Sequence, residues 1–223
     1  GATKDSSRYS YDVVDETGVG YEERNQFNVR GIYSFPDSAI ATDLGFSLQY
    51  GQLESEGPQD DGDHYAGSVH MVNKWDNWTL ASQLTYYDID IDPTPLFAAG
   101  GAARDDLVTF GAYDFPTGVA TEAWIPAISL SYFQKTPGVD WLDYVIPYAE
   151  YSSIMKEEDG FNDSELVTLG AAWGRGGWYI YTDMVFSNGN DFVGTETPFG
   201  GRLGANANDD WQERFNINFG YYF

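Results

Sequence analysis

Several residue types that would point to particular chemistries are missing or scarce in these 223 residues. No cysteine occurs, which excludes disulfides, thiol catalysis and cysteine metal sites. The chain has only 11 basic residues against 35 acidic ones, which gives a formal net charge of -24. This charge argues against nucleic-acid binding, because so acidic a surface repels phosphates. No apolar run approaches the roughly 20 residues that a spanning helix needs, so a helical membrane protein is excluded.

Aromatic residues and glycines are abundant instead. The chain holds 17 Tyr, 14 Phe, 7 Trp and 25 Gly, and 17% of its residues are aromatic. Tyrosine and tryptophan suit a membrane–water boundary because each joins an apolar ring to a polar tip. The excess of acidic residues is explained most simply by the solvation of exposed loops. The functional alternative is an electrostatic field that attracts cations.

The last residues of the chain alternate between two kinds of side chain. One set is apolar and aromatic: Phe215, Ile217, Phe219, Tyr221 and Phe223. The set between them is largely polar: Arg214, Asn216, Asn218, Gly220 and Tyr222. Side chains on a strand switch faces at every residue, so this pattern predicts a strand with one greasy face.

Similar alternation recurs along the chain and predicts an all-β protein. Ten strands are expected, separated by turns rich in Gly, Pro, Asp and Asn. Their spans are 8–14, 26–35, 42–51, 64–74, 78–88, 123–134, 141–154, 165–174, 178–187 and 211–223.

The amphipathic last strand that closes on Phe223 resembles the terminal signature of Gram-negative outer-membrane β-barrels. The resemblance implies an antiparallel, transmembrane, up-and-down barrel over residues 1–223 in the bacterial outer membrane. It also implies contact with outer-membrane lipid and lipopolysaccharide, and it makes Phe219, Tyr221 and Phe223 the membrane-insertion signal. Each predicted strand has about the 9 to 11 residues that a tilted transmembrane strand needs.

Connection lengths agree with that topology. Outer-membrane barrels have short periplasmic turns and longer external loops, and the predicted long and short connections fall on opposite sides. Ten strands enclose only a narrow lumen. We therefore expect either the C-terminal part of a larger, 16-stranded barrel or a whole, narrow barrel.

The longest connection, residues 89–122, is expected to carry function. Its centre, residues 107–113, is too apolar for a loop in water, which leaves two hypotheses. The segment folds back into the barrel mouth as a constriction, or it forms a small external hairpin. In the first hypothesis the pore is faced by Arg104, Asp105, Asp106 and Asp114.

Charged residues on the polar side of the strands are the other candidate pore-lining groups. They are Arg30, Asp43, Lys74, Glu150, Asp183 and Arg214. The segments 147–151 and 216–223 resemble porins grouped near the phosphate-selective porins, over about the last 100 residues. Phosphate selectivity requires a ladder of basic side chains, which this chain lacks, so we expect a cation-leaning or weakly selective pore.

We expect passive diffusion of small hydrophilic solutes or ions, with no catalysis, cofactor or metal, and a homotrimer by resemblance to porins. His64 and His70 form no recognisable catalytic motif. Acidic residues at 54–63 and 157–163 invite a calcium hypothesis, but solvated loops explain them more simply. Two alternatives remain open: a closed structural or adhesive barrel, and a soluble secreted β-sandwich that binds carbohydrate.

Overall fold

A computed structural model describes residues 12–14, 20–36, 39–95, 103–112, 115–158, 160–189 and 210–223. Within these ranges the protein is all-β, about 75% strand, with no helix. No helix there is long and apolar enough to cross a membrane. The all-β prediction is therefore confirmed.

Fifteen strands, numbered in chain order, occupy the described ranges. They are β1 (Asp12–Val14), β2 (Tyr21–Phe35), β3 (Ala41–Ser55), β4 (Gly62–Trp75), β5 (Trp78–Asp90), β6 (Thr94–Pro95), β7 (Ala103–Arg104), β8 (Leu107–Ala112), β9 (Phe115–Ala120), β10 (Glu122–Tyr132), β11 (Gln134–Lys135), β12 (Tyr144–Lys156), β13 (Ser164–Arg175), β14 (Trp178–Asn188) and β15 (Gln212–Tyr221).

Most of these strands form one antiparallel sheet in the order β1-β2-β3-β4-β5-β10-β12-β13-β14-β15, with β11 paired beside β12. Each of the ten predicted spans contributes a strand to this sheet, although residues 8–11 of the first span lie outside the described residues. Two small sheets, β6-β7 and β8-β9, stand apart from it. Residues 107–112 are thus excluded from the main sheet, as expected.

Several strand ends differ from the predicted ones. β2 begins at Tyr21, five residues before the predicted start, and a bulge at Asn25 shifts its pairing with β3. Asn25 has a positive φ of 46°, which asparagine adopts more readily than most residues. β12 starts at Tyr144, later than predicted, because the Thr136 hydroxyl donates to the Leu142 carbonyl and holds a turn there.

The pairing register gives the sheet one apolar face and one polar face. On β3, exposed apolar side chains alternate with half-buried polar ones. The exposed set is Leu44 (44%), Phe46 (45%), Leu48 (52%) and Tyr50 (45%). The half-buried set is Asp43, Ser47 and Gln49. A flat, uncovered sheet would expose both faces alike, so the polar face is the concave side of a curved sheet.

The sheet is open in the described residues. No pairing joins β15 to β1 or β2 within these ranges, so β15 presents an unpaired edge. Barrel closure, which the sequence predicted, is therefore not observed.

Connections of different length leave opposite ends of the sheet. The two-residue turns 76–77 and 176–177 leave the end that we call the short-connection end, as do 36–40 and 133–143. The segments 91–121 and 189–211 leave the opposite, long-connection end. Both two-residue turns contain a residue with positive φ, Asp76 and Gly176, as tight hairpins require.

Candidate functional site

All six strand charges predicted to line a pore lie on the polar face. One row of paired residues crosses the sheet through Asp43, Val72, Ala81, Ser129, Glu150, Thr168, Val185 and Arg214. The next row towards the short-connection end runs through Lys74, Thr79, Ser131, Tyr148, Gly170 and Asp183. Arg30 pairs with Ser47 on the same face. Whether these groups line a pore remains a prediction.

A cavity of about 350 Å³ opens on the polar face. It is lined by residues of six strands, among them Arg30, His70, Gln83, Ser129, Glu150 and Thr168. In a flat sheet the outermost of these strands, β2 and β13, would lie about 29 Å apart at about 4.8 Å per strand. A cavity of this size reaches both because the sheet curls around it.

Two carboxylates on the polar face accept hydrogen bonds from neighbouring hydroxyl groups. The Ser129 hydroxyl donates to Glu150 at 3.1 Å, and the Tyr148 hydroxyl donates to Asp183. Arg30 lines the cavity and makes no salt bridge in the described part of the chain.

Tyrosines on the polar face crowd the short-connection end, which sequence reasoning missed. Three rings lie across a glycine of the adjacent strand: Tyr144 over Gly174, Tyr148 over Gly170 and Tyr179 over Gly220. A methyl group added at any of these glycines would overlap the ring above it. Only glycine permits this close approach. Regular Tyr–Gly spacing between paired strands could have revealed the arrangement once the register was known.

At the long-connection end, the hairpin of β8 and β9, which we call the inner hairpin, meets the polar face at its base. Its base packs with the ends of β2, β3 and β5 in an apolar cluster that is almost fully buried. The members of the cluster are Tyr21, Leu53, Ile89, Ile91, Leu107 and Val108. Tyr21, Leu53 and Ile89 lie on the polar face by register, so the hairpin base is folded onto the inside of the curve.

Hydrogen bonds fix the inner hairpin to the sheet. The Tyr87 hydroxyl donates to the Ala120 carbonyl at 2.8 Å, and the Ile89 amide donates to the Thr121 carbonyl at 2.9 Å. The buried Tyr21 hydroxyl donates to the Asp60 carbonyl and accepts from the Asp92 amide, which ties two connections together. These contacts hold the hairpin against the concave wall.

Arg104, predicted to face the pore, is engaged in a local pair. Two of its guanidinium nitrogens donate to Asp106 at 2.6 Å, and the group lies 5.4 Å from the ring centre of Phe161. The hydrogen bond to Asp106 raises the pKa of the Arg104 guanidinium above its usual value, so it stays charged. Asp105 is exposed, and Asp114 lies outside the described residues.

Sequence patterns missed two further ionisable groups near the long-connection end, because the predicted strands were too short at that end. Glu23 lies on the polar face opposite Leu53, and its carboxylate is 3.9 Å from Nε2 of the buried His64. Lys156 pairs with Ala123, is 8% exposed and donates to the Asn162 carbonyl at 2.6 Å. His70 lies on the polar face over Gly45.

The apolar face carries two groups of aromatic side chains. Near the long-connection end, Tyr86 lies 6.0 Å from Tyr65 and 4.8 Å from Trp124. The hydroxyls of Tyr65 and Tyr86 donate to Asp88 and Glu122. Near the opposite end, Trp78 lies between Trp75 and Tyr132, with ring centres 6.4 and 4.7 Å away. Between the two groups the face is aliphatic, with Val69, Leu84 and Ile128 exposed.

The proposed insertion residues extend this apolar face on the last strand. Phe219 and Tyr221 are 73% and 66% exposed, and they pair with Ile180 and Trp178. Phe223 follows just beyond the strand.

Acidic side chains in the connections do not assemble into a metal site where the structure describes them. Across these ranges no three His, Asp or Glu side chains converge on a common point. Asp61 instead accepts a hydrogen bond from the Ser55 amide, and Asp163 accepts one from the Lys156 amide.

Comparison of the chain with models of protein families, with curated proteins and with solved structures finds no match.

Proposed function

We propose that this chain forms the wall of a bacterial outer-membrane pore for passive diffusion of small hydrophilic solutes or ions. The observation that carries the proposal is the inverted sheet, with large apolar side chains on the exposed convex face and polar ones on the concave face. In water so large a contiguous apolar surface promotes association or aggregation. Against hydrocarbon the same arrangement is favourable.

Spacing of the two aromatic groups supports this environment. Tyr65 and Trp75 stand ten residues apart on β4, or about 34 Å along the strand. At a tilt of about 40° that distance spans about 25 Å, the height of the apolar band of outer-membrane barrels. The rings would then lie at the two lipid interfaces, with Val69 and Leu84 in the hydrocarbon between them.

Closure of the sheet belongs to the same proposal. An unpaired strand edge in lipid costs several kcal/mol for each unsatisfied backbone group, by order of magnitude. The edge of β15 must therefore be paired in the membrane, either with the opposite edge of this sheet or with strands of a larger barrel.

Solutes would follow the polar face. Its six predicted lining charges comprise three basic and three acidic groups, so the wall itself favours weak selectivity. The chain's net charge of -24 biases the mouths towards cations. The inner hairpin would narrow the external mouth, and its apolar cluster would keep it in place.

A closed barrel without a wide pore is the second candidate, favoured by the same cluster if the hairpin fills the mouth. A soluble β-sandwich is less well supported because a second sheet would have to cover the apolar face. In the described ranges only β6-β7 and β8-β9 lie outside the main sheet, and the inner hairpin sits on the polar face.

Reconstitution into liposomes tests the proposal. Refolded protein should insert and give stepwise ion conductance in planar bilayers, with a modest preference for cations in a salt gradient. Insertion without conductance would favour the closed barrel. A protein that folds and stays monomeric in buffer without detergent would contradict both membrane readings.

A further inference from the structure

The polar face is not uniform, and one part of it is lined with aromatic rings. Towards the short-connection end, β12 presents Tyr144 and Tyr148, and β14 presents Tyr179 and Tyr181. We call these four side chains the tyrosine strip. On β4 and β5, by contrast, the residues of the same face at this level include Val72, Lys74, Thr79 and Ala81.

Packing against glycine holds the rings of the tyrosine strip along the wall. Tyr144, Tyr148 and Tyr179 each lie across a glycine, so these rings are held close to the backbone. Tyr181 packs edge-on against Tyr179, with ring centres 5.4 Å apart, and remains 40% exposed. The strip is therefore an aromatic surface whose rings are already positioned before any solute arrives.

Hydrogen-bonding groups stand directly beside these rings. On β15, Asn218 pairs with Tyr181 and Asn216 pairs with Asp183, and both asparagines are exposed. Amides offer donors and acceptors, and the Asp183 carboxylate offers acceptors. From Tyr179 to Asp183 the combined surface runs about 13 Å along the strand.

We propose that the tyrosine strip, with Asn216, Asn218 and Asp183, binds neutral carbohydrate. A sugar has an apolar C–H face that packs on an aromatic ring and a rim of hydroxyls that both donate and accept. Rings beside amide and carboxylate groups match both features. An organic cation fits less well because the positive Arg214 lies two residues before Asn216 on the same face of β15. This inference rests on the proposed function in one respect, that water fills the concave side.

Equilibrium binding tests the inference without requiring transport. The probe is maltotriose, titrated calorimetrically into the full, refolded chain in detergent. Tyr181→Ala should weaken binding by about tenfold, the factor that corresponds to loss of one aromatic contact. Tyr181→Phe keeps the ring and should retain affinity within about twofold. Tyr33→Ala removes a tyrosine that is 66% exposed on the apolar face, and it should change nothing.

Absence of saturable maltotriose binding, or equal binding by the wild type and Tyr181→Ala, would overturn the inference. Binding of spermine in preference to maltotriose would also overturn it, because charge rather than ring stacking would then select the solute. A separate bilayer measurement distinguishes the two proposals: ion conductance without sugar binding rejects only the tyrosine strip, whereas sugar binding without conductance rejects only the pore.

Discussion

The two faces of the sheet are made by the same strands, yet they present opposite chemistry. Ile128 and Leu130 on the apolar face of β10 are 49% and 38% exposed, whereas their neighbour Ser129 on the polar face is half-buried beside Glu150. In a water-soluble protein the apolar face of a sheet is normally covered by other parts of the protein. In the proposed membrane environment, the medium around the convex side, rather than the backbone, decides which residues this sheet tolerates there.

A charge placed on each face in turn should give the largest contrast. Ile128→Arg should destabilise the membrane-inserted protein by about 2 to 4 kcal/mol, since it puts a charge in hydrocarbon. The matched Ser129→Arg lies on the polar face near Glu150 and should cost less than about 1 kcal/mol. Urea unfolding in liposomes measures both. On a water-exposed surface Ile128→Arg would stay within about 0.5 kcal/mol, and that result would contradict the assignment.

The apolar cluster interrupts the polar face, and breaking it should open the mouth. Val108→Asn buries an unpaired amide and should cost about 1 to 3 kcal/mol of hairpin packing. Single-channel conductance should then rise, because the inner hairpin leaves the wall. Asp140→Asn, at an exposed position of the 133–143 connection at the opposite end of the sheet, is the control and should keep the wild-type conductance. Unchanged conductance in Val108→Asn would reject the constriction.

Glycines on the two faces should respond differently to an added methyl group. Gly170→Ala would push against Tyr148 and Asp183 and should destabilise the protein by about 1 kcal/mol, with their hydrogen bond disturbed. Gly67→Ala on the apolar face meets only the Leu48 side chain at 3.4 Å, an ordinary contact. Thermal unfolding in detergent compares them, and equal effects would count against the tight ring–glycine packing.

The smallest expected effect concerns ion selectivity. Arg30→Gln removes a positive charge from the polar face and should shift the reversal potential in a salt gradient towards greater cation preference. Arg24→Gln removes a positive charge from the apolar face at the long-connection end, where Arg24 forms salt bridges with Glu22 and Glu54 at 2.9 and 2.7 Å. It should leave selectivity unchanged. A larger shift from Arg24→Gln than from Arg30→Gln would place the ion path elsewhere.

Local alternation was sufficient to predict the strands and their faces. Val167, Leu169, Ala171 and Trp173 on β13, for example, occupy alternate positions in the sequence and all lie on the apolar face. Strand ends were less predictable because Asn25 breaks the period, and because Leu53 and Ile89 are apolar on the polar face. The apolar character of those two residues is explained by their packing against the inner hairpin. That packing joins segments that are far apart in sequence.

Alternation predicted which face of the sheet carries the candidate site residues, but it did not predict which residues they contact. The six strand charges could be assigned to one face from alternation alone. The pairing of Arg104 with Asp106, the burial of Lys156 and the crossing of Tyr148 over Gly170 depend on register or on loop geometry. The pattern within one strand contains no information about register or loop geometry. These contacts could therefore be identified only from the three-dimensional structure.

Spin-label accessibility along β10 tests most directly which medium touches each face, and the absence of native cysteine makes it simple. Single variants Ala127→Cys, Ile128→Cys, Ser129→Cys, Leu130→Cys and Ser131→Cys would each be labelled with a nitroxide in liposomes. Labels at 128 and 130 should collide mainly with dissolved oxygen, and those at 127, 129 and 131 mainly with a water-soluble nickel complex. Nickel access at all five positions would contradict the account.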